Sequence, residues 1–380
     1  MKALVFHEVG DIRLDDVPEP QLQAATDAIV RLTASAICGT DLHMIRGTMG
    51  GMVSGTVLGH EGVGVVEQLG DDVRNVKVGD RVVLPSTLGC GSCSYCRAGY
   101  FAQCDNANPN GPLAGTSFYG GPQMTGPFDG LQAEKARVPY AHTNLVKLPD
   151  EVADDQAIML SDIFPTGWFG ADNAEIKPGD TVAVLGCGPV GLFAIVSAQL
   201  QGAGRVLAVD QLGDRLDQAR ALGAETVDFS AEEAPEALRR LTGGIGPDRI
   251  IDAVGVDAEP PGGGSDGGTW VPGHAPAQAL TWAVDAVAKA GTISIIGVYP
   301  PEMEHFPIGM AMNKNLTLKM GNCNHRRYIP ELIELVRSGT VDPSQVLTQV
   351  APEADIEQAY EAFDRRESGW IKVAVDPSDT

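Results

Sequence analysis

The hydrophobic positions change rhythm about halfway along the chain. Up to about residue 160 the apolar runs are short, Val-rich and broken by glycine, and 28–32, 62–66 and 80–84 predict strands between turns. That pattern predicts a β-rich domain with long loops. After Pro178-Gly179-Asp180, continuous apolar runs alternate with helically spaced text. Strands are predicted over 181–185, 205–210, 224–228, 249–253 and 292–298, with helices over 189–201 and 215–222. Such alternation predicts an α/β domain, a parallel sheet doubly wound by helices. The Gly- and Pro-rich stretch 256–277 interrupts it, and a loop that long is expected to be functional or mobile. Beyond residue 322 a helix over 328–338 leads to a last strand over 370–375, and no internal repeat is found.

The 380 residues suffice for two domains with separate cores. Charged residues, Gly and Pro interrupt every apolar run before about 18 residues, so no spanning helix is expected. The start, Met1 to Glu8, lacks a signal-peptide pattern. The expectation is a cytoplasmic protein with no membrane partner. Lys and Arg number 27 against 50 Asp and Glu, a net charge of −23 that repels nucleic acid. A small molecule is the expected partner.

Four of the seven cysteines, Cys90, Cys93, Cys96 and Cys104, form a C-x2-C-x2-C-x7-C run among small residues. Thiolates at this spacing suit tetrahedral zinc, and four sulfurs close the shell, so the site is expected to hold shape rather than do chemistry. A pair of disulfides is the alternative, disfavoured by the expected reducing compartment.

Gly186-Cys187-Gly188-Pro189-Val190-Gly191 lies between a predicted strand and a predicted helix. The first glycine permits the tight turn, the second lets backbone approach a pyrophosphate, and the third lets helix pack on strand. Asp210 closes the next strand, where an acid is expected to accept hydrogen bonds from both adenine-ribose hydroxyls and repel a 2′-phosphate. Arg215 is the nearest base and is expected to flank the ribose. NAD is therefore favoured over NADP. Val298, closing the 292–298 run, is counted with the cofactor contacts, and Cys187 is read as a space-filler.

Two further segments, Cys38-Gly39-Thr40-Asp41-Leu42-His43 and Gly59-His60-Glu61-Gly62-Val63-Gly64, carry metal-ligating side chains. Alone, each Cys or His is more readily a packed or solvated residue. Together with the knuckle and the glycine loop, in this order, they resemble the zinc-dependent medium-chain alcohol dehydrogenases over nearly the whole chain. Leu160-Ser161-Asp162-Ile163-Phe164-Pro165-Thr166-Gly167 and the tail Gly321-Asn322-Cys323 … Arg326-Arg327-Tyr328-Ile329-Pro330 resemble the glutathione-independent formaldehyde dehydrogenase and aldehyde dismutase branch.

The resemblance implies a GroES-like catalytic domain over 1–163, completed by 323–380, and a Rossmann NAD-binding domain over 164–322. It implies two zincs per chain: a structural one on the four cysteines and a catalytic one on Cys38, His60 and Asp162, with Glu61 as a second carboxylate that either orients the site or ligates transiently when water leaves. One thiolate and one carboxylate would neutralise Zn²⁺ and leave a fourth position open. It further implies hydride transfer between an alcohol, or an aldehyde hydrate, and NAD. The substrate oxygen would sit on zinc as an alkoxide, with Thr40 and a surface His43 relaying its proton through the nicotinamide ribose. Lys372 resembles a basic position that contacts the cofactor pyrophosphate.

An aldehyde dismutase with retained NAD, and a sugar- or amino-alcohol dehydrogenase, are alternative readings. A non-catalytic scaffold fits poorly with an intact ligand set. A homotetramer or homodimer is expected by resemblance. Trp168 and Phe164 are equally pocket-lining or core, loops 45–57 and 110–128 are expected to set the pocket, and His274, His305, His325 and Cys323 are read as loop or surface residues.

Overall fold

The computed structural model describes residues 1–111, 113–126, 128–260, 274–299 and 303–377. Most of the 256–277 interruption therefore lies outside the described residues. The chain divides into two compact units, Met1–Pro165 with Cys323–Thr380, and Thr166–Asn322. Among the described residues, no helix is long and apolar enough to cross a membrane.

In the first unit a sheet runs in the order Gln349–Pro352, Val373–Asp376, Ala28–Ile37, Gly62–Leu69, Arg81–Leu84 and Val146–Lys147, and Lys135–Val138 also pairs with Ala28–Ile37. All pairings are antiparallel except that of the first two strands. The expected strands over 28–32 and 62–66 are thus the beginnings of longer ones. A smaller sheet joins Asp11–Asp16, Lys2–Glu8 and Thr56–Val57. Sequence reading missed its first hairpin, whose strands are short and carry few apolar residues on the outer one. The main core gathers Val30, Val66, Val82, Leu84, Leu88 and Tyr119, and Cys90, Cys96 and Cys104 pack into that same cluster.

The second unit is a six-stranded sheet in the order Glu225–Asp228, Arg205–Asp210, Thr181–Leu185, Arg249–Asp252, Thr292–Ile295 and Thr317–Met320, parallel throughout. This is the doubly wound order in which cofactors bind beyond the strand C-termini. Thr181–Leu185 and Arg205–Asp210 fall on the expected bounds, because strands buried on both faces must be apolar throughout. The strand expected over 292–298 stops at Ile295, and the late helix starts earlier than expected, at His325.

One buried acid in the first unit lacks compensation. Glu353 is 1% exposed, and among the described residues neither carboxylate oxygen has a hydrogen-bond partner. Burial, with Glu134 nearby and only Lys2 opposing, pushes its pKa up to about 7. The folded value lies above the unfolded one, so folding favours the protonated acid. Its contribution is fully present below pH 4.5 and is lost as the pH rises through 7. Glu353→Gln is expected to raise stability at pH 8 by on the order of 2 kcal/mol and to have little effect at pH 4.5. Urea unfolding of both proteins at the two pH values checks this.

Candidate active site

Three backbone features of the first unit bring the reactive side chains together. Cys38 follows the strand Ala28–Ile37 and forms the N-cap of the helix Gly39–Ile45, its N–H donating to Asp41 Oδ2 at 3.0 Å. His60 and Glu61 directly precede the strand Gly62–Leu69. Asp162 is fixed by its neighbour Ser161, whose hydroxyl donates to the Leu84 carbonyl at 2.5 Å and accepts from Gly62 N–H at 3.0 Å.

The ligand atoms of Cys38, His60, Glu61 and Asp162 lie within 4.8 Å of one another, and all four side chains are buried. Asp162 Oδ2 is 3.5 Å from Cys38 Sγ and 3.4 Å from His60 Nε2. Around tetrahedral zinc, with bonds of roughly 2.0–2.3 Å, neighbouring ligand atoms stand about 3.3–3.8 Å apart. Both edges that meet at Asp162 Oδ2 therefore have the length of a zinc tetrahedron's edge, and the third pair lies within 4.8 Å. Glu61 Oε2, fully buried, has no hydrogen-bond partner among the described residues.

The electrostatics agree with a site built for a cation. Burial, with Asp162 beside it, pushes the Cys38 thiol above its ordinary pKa, against the pull of His60. Burial disfavours charge on His60, but Asp41 and Cys38 outweigh it and hold the imidazole well above its usual value. Burial also opposes charge on Asp162, yet hydrogen bonds from His325 and His60 hold the carboxyl well below the carboxylate range. Protons are thus drawn onto the thiol and imidazole beside an ionised carboxylate. A dication would take their place and deprotonate the thiol outright.

Several residues differ from their sequence reading. Lys372 is fully buried, with its ammonium 2.5 Å from Glu61 Oε1 and 3.0 Å from the Ile37 carbonyl. The expected pyrophosphate contact is corrected to a counter-ion for Glu61, since the ammonium is committed to a carboxylate with no solvent exposure. Burial pushes Glu61 up to about 7 while Lys372 pulls it down. On Lys372 burial acts to lower the pKa, and Glu61 and Cys38 reverse that and raise it. His43, expected at the surface, is 5% exposed, one turn along the helix from half-buried Thr40. His325, read as a loop histidine, is buried with Nε2 2.6 Å from Asp162 Oδ1.

Asp41, between Cys38 and His43 in the sequence, also belongs to the site. Its Oδ1 lies 2.9 Å from His60 Nδ1, leaving Nε2 to face the cluster. The spacing of Cys38 to Asp41, N-cap to third helical position, was the available signal. Cys323, read as a loop or surface residue, is instead buried, and its carbonyl accepts from Thr87 Oγ1 at 3.1 Å. Phe164 is fully buried core. Trp168 is half-buried, and His274 pairs with Glu259 at 2.9 Å.

The four knuckle cysteines are free thiols whose sulfurs lie within 4.8 Å of one another. Cys93 and Cys104 stand 3.9 Å apart, against about 2.05 Å for a disulfide and close to the edge of a four-sulfur zinc tetrahedron. Backbone N–H groups of Ser92 and Cys93 and the Asn106 amide donate to Cys90 Sγ, and those of Cys90, Asn106 and Ala107 donate to Cys104 Sγ. A hydrogen bond from Cys96, together with these N–H groups, draws Cys104 down to about 4. Such donors suit thiolate charge, as a tetrathiolate metal requires.

In the second unit the turn at Gly186 has φ +86°, and a Cβ on Gly191 would stand 1.8 Å from the Gly186 carbonyl oxygen. Gly188 caps the helix Pro189–Leu200, with Pro189 as its first residue and Val190 following. A Cβ there would meet only Arg215 Nη1, at 3.7 Å, so backbone and guanidinium border open space at a helix N-terminus. Asp210 Oδ2 accepts from Cys187 N–H at 2.8 Å, and Oδ1 from Gln211 and Leu212 at 2.7 and 3.0 Å. With three of about four acceptor sites taken, one ribose hydroxyl fits better than the expected two. The Val298 carbonyl accepts from Val256 N–H at 2.9 Å, beside the turn at Gly255.

Comparison with known proteins gives a consistent result. Residues 24–150 match the alcohol dehydrogenase GroES-like domain and residues 189–259 the zinc-binding dehydrogenase family. The uncharacterized zinc-type alcohol dehydrogenase-like protein AdhB of Bacillus subtilis is 38% identical across 99% of this chain and 100% of its own length. The glutathione-independent formaldehyde dehydrogenase of the same organism is 32% identical across 100% of this chain and 97% of its own. The solved structure of alcohol dehydrogenase TADH from Thermus sp. ATN1 superposes with a TM-score of 0.86 at 35% identity, covering 99% of each chain.

The buried pair behind the cluster has a measurable signature. Lys372→Met is expected to destabilise the protein by about 3 kcal/mol, because it strands a buried carboxylate. Combining it with Glu61→Gln should recover most of that loss. Urea unfolding of the wild type, both single variants and the double variant closes the cycle.

Proposed function

The chain belongs to the zinc-dependent medium-chain alcohol dehydrogenases, a family in which NAD use is general, and from that premise we propose how its own residues serve the reaction. It is an oxidoreductase that moves hydride between a small alcohol and NAD. The observation that carries the site assignment is the spacing of Cys38 Sγ, His60 Nε2 and Asp162 Oδ2, at 3.4–3.5 Å along the measured edges. These three side chains are the ligands we assign to the reactive zinc, and Cys90, Cys93, Cys96 and Cys104 those of a second, structural zinc. Bound at the first site, zinc supplies Lewis acidity to a substrate oxygen, and NAD supplies the hydride acceptor.

The chain's own part is to hold, neutralise and deprotonate. Cys38 and Asp162 contribute two negative charges, matching a dication. Glu61 adds none to the balance, because Lys372 cancels it. Asp41 Oδ1 stands 2.9 Å from His60 Nδ1, on the side of the ring away from the cluster that Nε2 faces. Thr40 is the hydroxyl we assign to accept the alcohol proton, since it can take one proton while releasing another. His43, three residues on and on the same helical face, is the next acceptor. Gly186, Gly188, Pro189, Val190 and Gly191 present backbone amides to the pyrophosphate, with Arg215 beside them. Asp210 excludes a 2′-phosphate by charge. Val298 lines this cofactor side through its backbone.

Alcohols and aldehydes assayed with and without added NAD, read at the absorbance of reduced cofactor, test the activity. Turnover that requires NAD is the expected result, and turnover indifferent to it would indicate dismutation instead. Asp162→Ala is expected to lose turnover and one of two zincs per chain, with the other retained. Full activity in that variant at one zinc per chain would overturn the ligand assignment. Asp210→Ser is expected to narrow the preference for NAD over NADP by roughly tenfold, measured as the ratio of kcat/KM.

A further inference from the structure

We propose that His325 is a positioning residue that assigns the two oxygens of Asp162 to separate tasks, one turned to the imidazole and one to the metal. This rests on Asp162 being a ligand of the reactive zinc. His325 Nε2 lies 2.6 Å from Oδ1, while Oδ2 faces Cys38 Sγ and His60 Nε2 at 3.5 and 3.4 Å. A carboxylate with neither oxygen engaged can swing, or straddle a cation with both. With Oδ1 held by an N–H donor, only Oδ2 is presented, and the three-cornered spacing follows.

The ring is itself fixed. Its Nδ1 is 3.0 Å from Thr87 Oγ1, which also reaches the Cys323 carbonyl at 3.1 Å. An ionised Asp162 accepts only, so Nε2 must carry a proton. Thr87 has one hydroxyl proton, which the Cys323 carbonyl accepts, so its oxygen is left to accept from Nδ1, and the contact fixes the ring plane. His325 opens the helix His325–Arg337, and the residue before it, Asn324, accepts from Ala102 N–H at 3.0 Å. The imidazole is 3% exposed, so water does not substitute for it as a partner.

Outer partners of metal ligands commonly govern affinity by 10–100-fold. The test is competition for zinc by a chromogenic chelator, on full-length protein loaded with two zincs per chain. His325→Phe keeps the ring's bulk and removes its N–H. It is expected to weaken one zinc by roughly 10–100-fold and leave the other unchanged. His325→Gln, which restores an N–H donor, should recover part of that loss. Thr87→Val, which leaves the ring in place, should weaken the same zinc by a smaller factor, and it carries the test if His325→Phe does not fold.

Wild-type affinity at both sites in His325→Phe would overturn the proposal, as would parallel weakening of both zincs, which would make the ring a mere fold element. Asp162→Ala in the same assay separates the two readings. If it retains both zincs, the ligand assignment fails. If it loses one while His325→Phe and Thr87→Val behave as wild type, the ligand stands and the positioning role falls.

Discussion

Four ionisable side chains share a volume that excludes water, and the local architecture of the first unit answers that constraint. A thiol, an imidazole and two carboxylates cannot be buried together without compensation, because uncompensated charge in a low-dielectric interior costs several kcal/mol per ion. One carboxylate, Glu61, is answered from within the chain by Lys372. The other, Asp162, is answered on one oxygen by His325 and left facing Cys38 and His60 on the other. What is left uncompensated after this pairing is close to two negative charges once the thiol ionises. A dication supplies the missing balance, so the cluster's charge and its spacing point to the same occupant.

The two clusters of metal-ligating residues solve different problems. The knuckle gathers its four sulfurs from one short stretch, and the backbone N–H groups that stabilise them come from the same stretch. It therefore assembles locally, and three of its sulfurs pack into the main core. The other cluster draws on residues 38, 60, 61 and 162, and on outer partners at 41, 325 and 372. Only the completed fold brings these together. A site that must leave a ligand position open gains from being held by many distant elements, because each restrains one atom.

That difference governs what could be read from the chain beforehand. The parallel strands Thr181–Leu185 and Arg205–Asp210 were legible because burial on both faces forces an unbroken apolar run. The knuckle was legible because its partners are sequence neighbours. Lys372 and His325 were not, since each acquires its meaning from a partner 311 or 163 residues away. A lysine near the C-terminus reads as a cofactor contact and a histidine in a polar tail as a loop residue until the fold buries each beside a carboxylate. The hairpin Lys2–Glu8 and Asp11–Asp16 was missed for another reason: an edge sheet with one polar strand carries too weak an alternation to stand out.

The single bond from Ala102 N–H to Asn324 Oδ1 ties the end of the knuckle segment to the residue preceding His325. The cysteine cluster and the outer partner of Asp162 are thereby braced against each other within the first unit. A shift of the knuckle segment at Ala102 would be passed to Asn324 and so to the start of the helix that carries the His325 ring. Disorder in one metal cluster is therefore felt as slack in the support of the other.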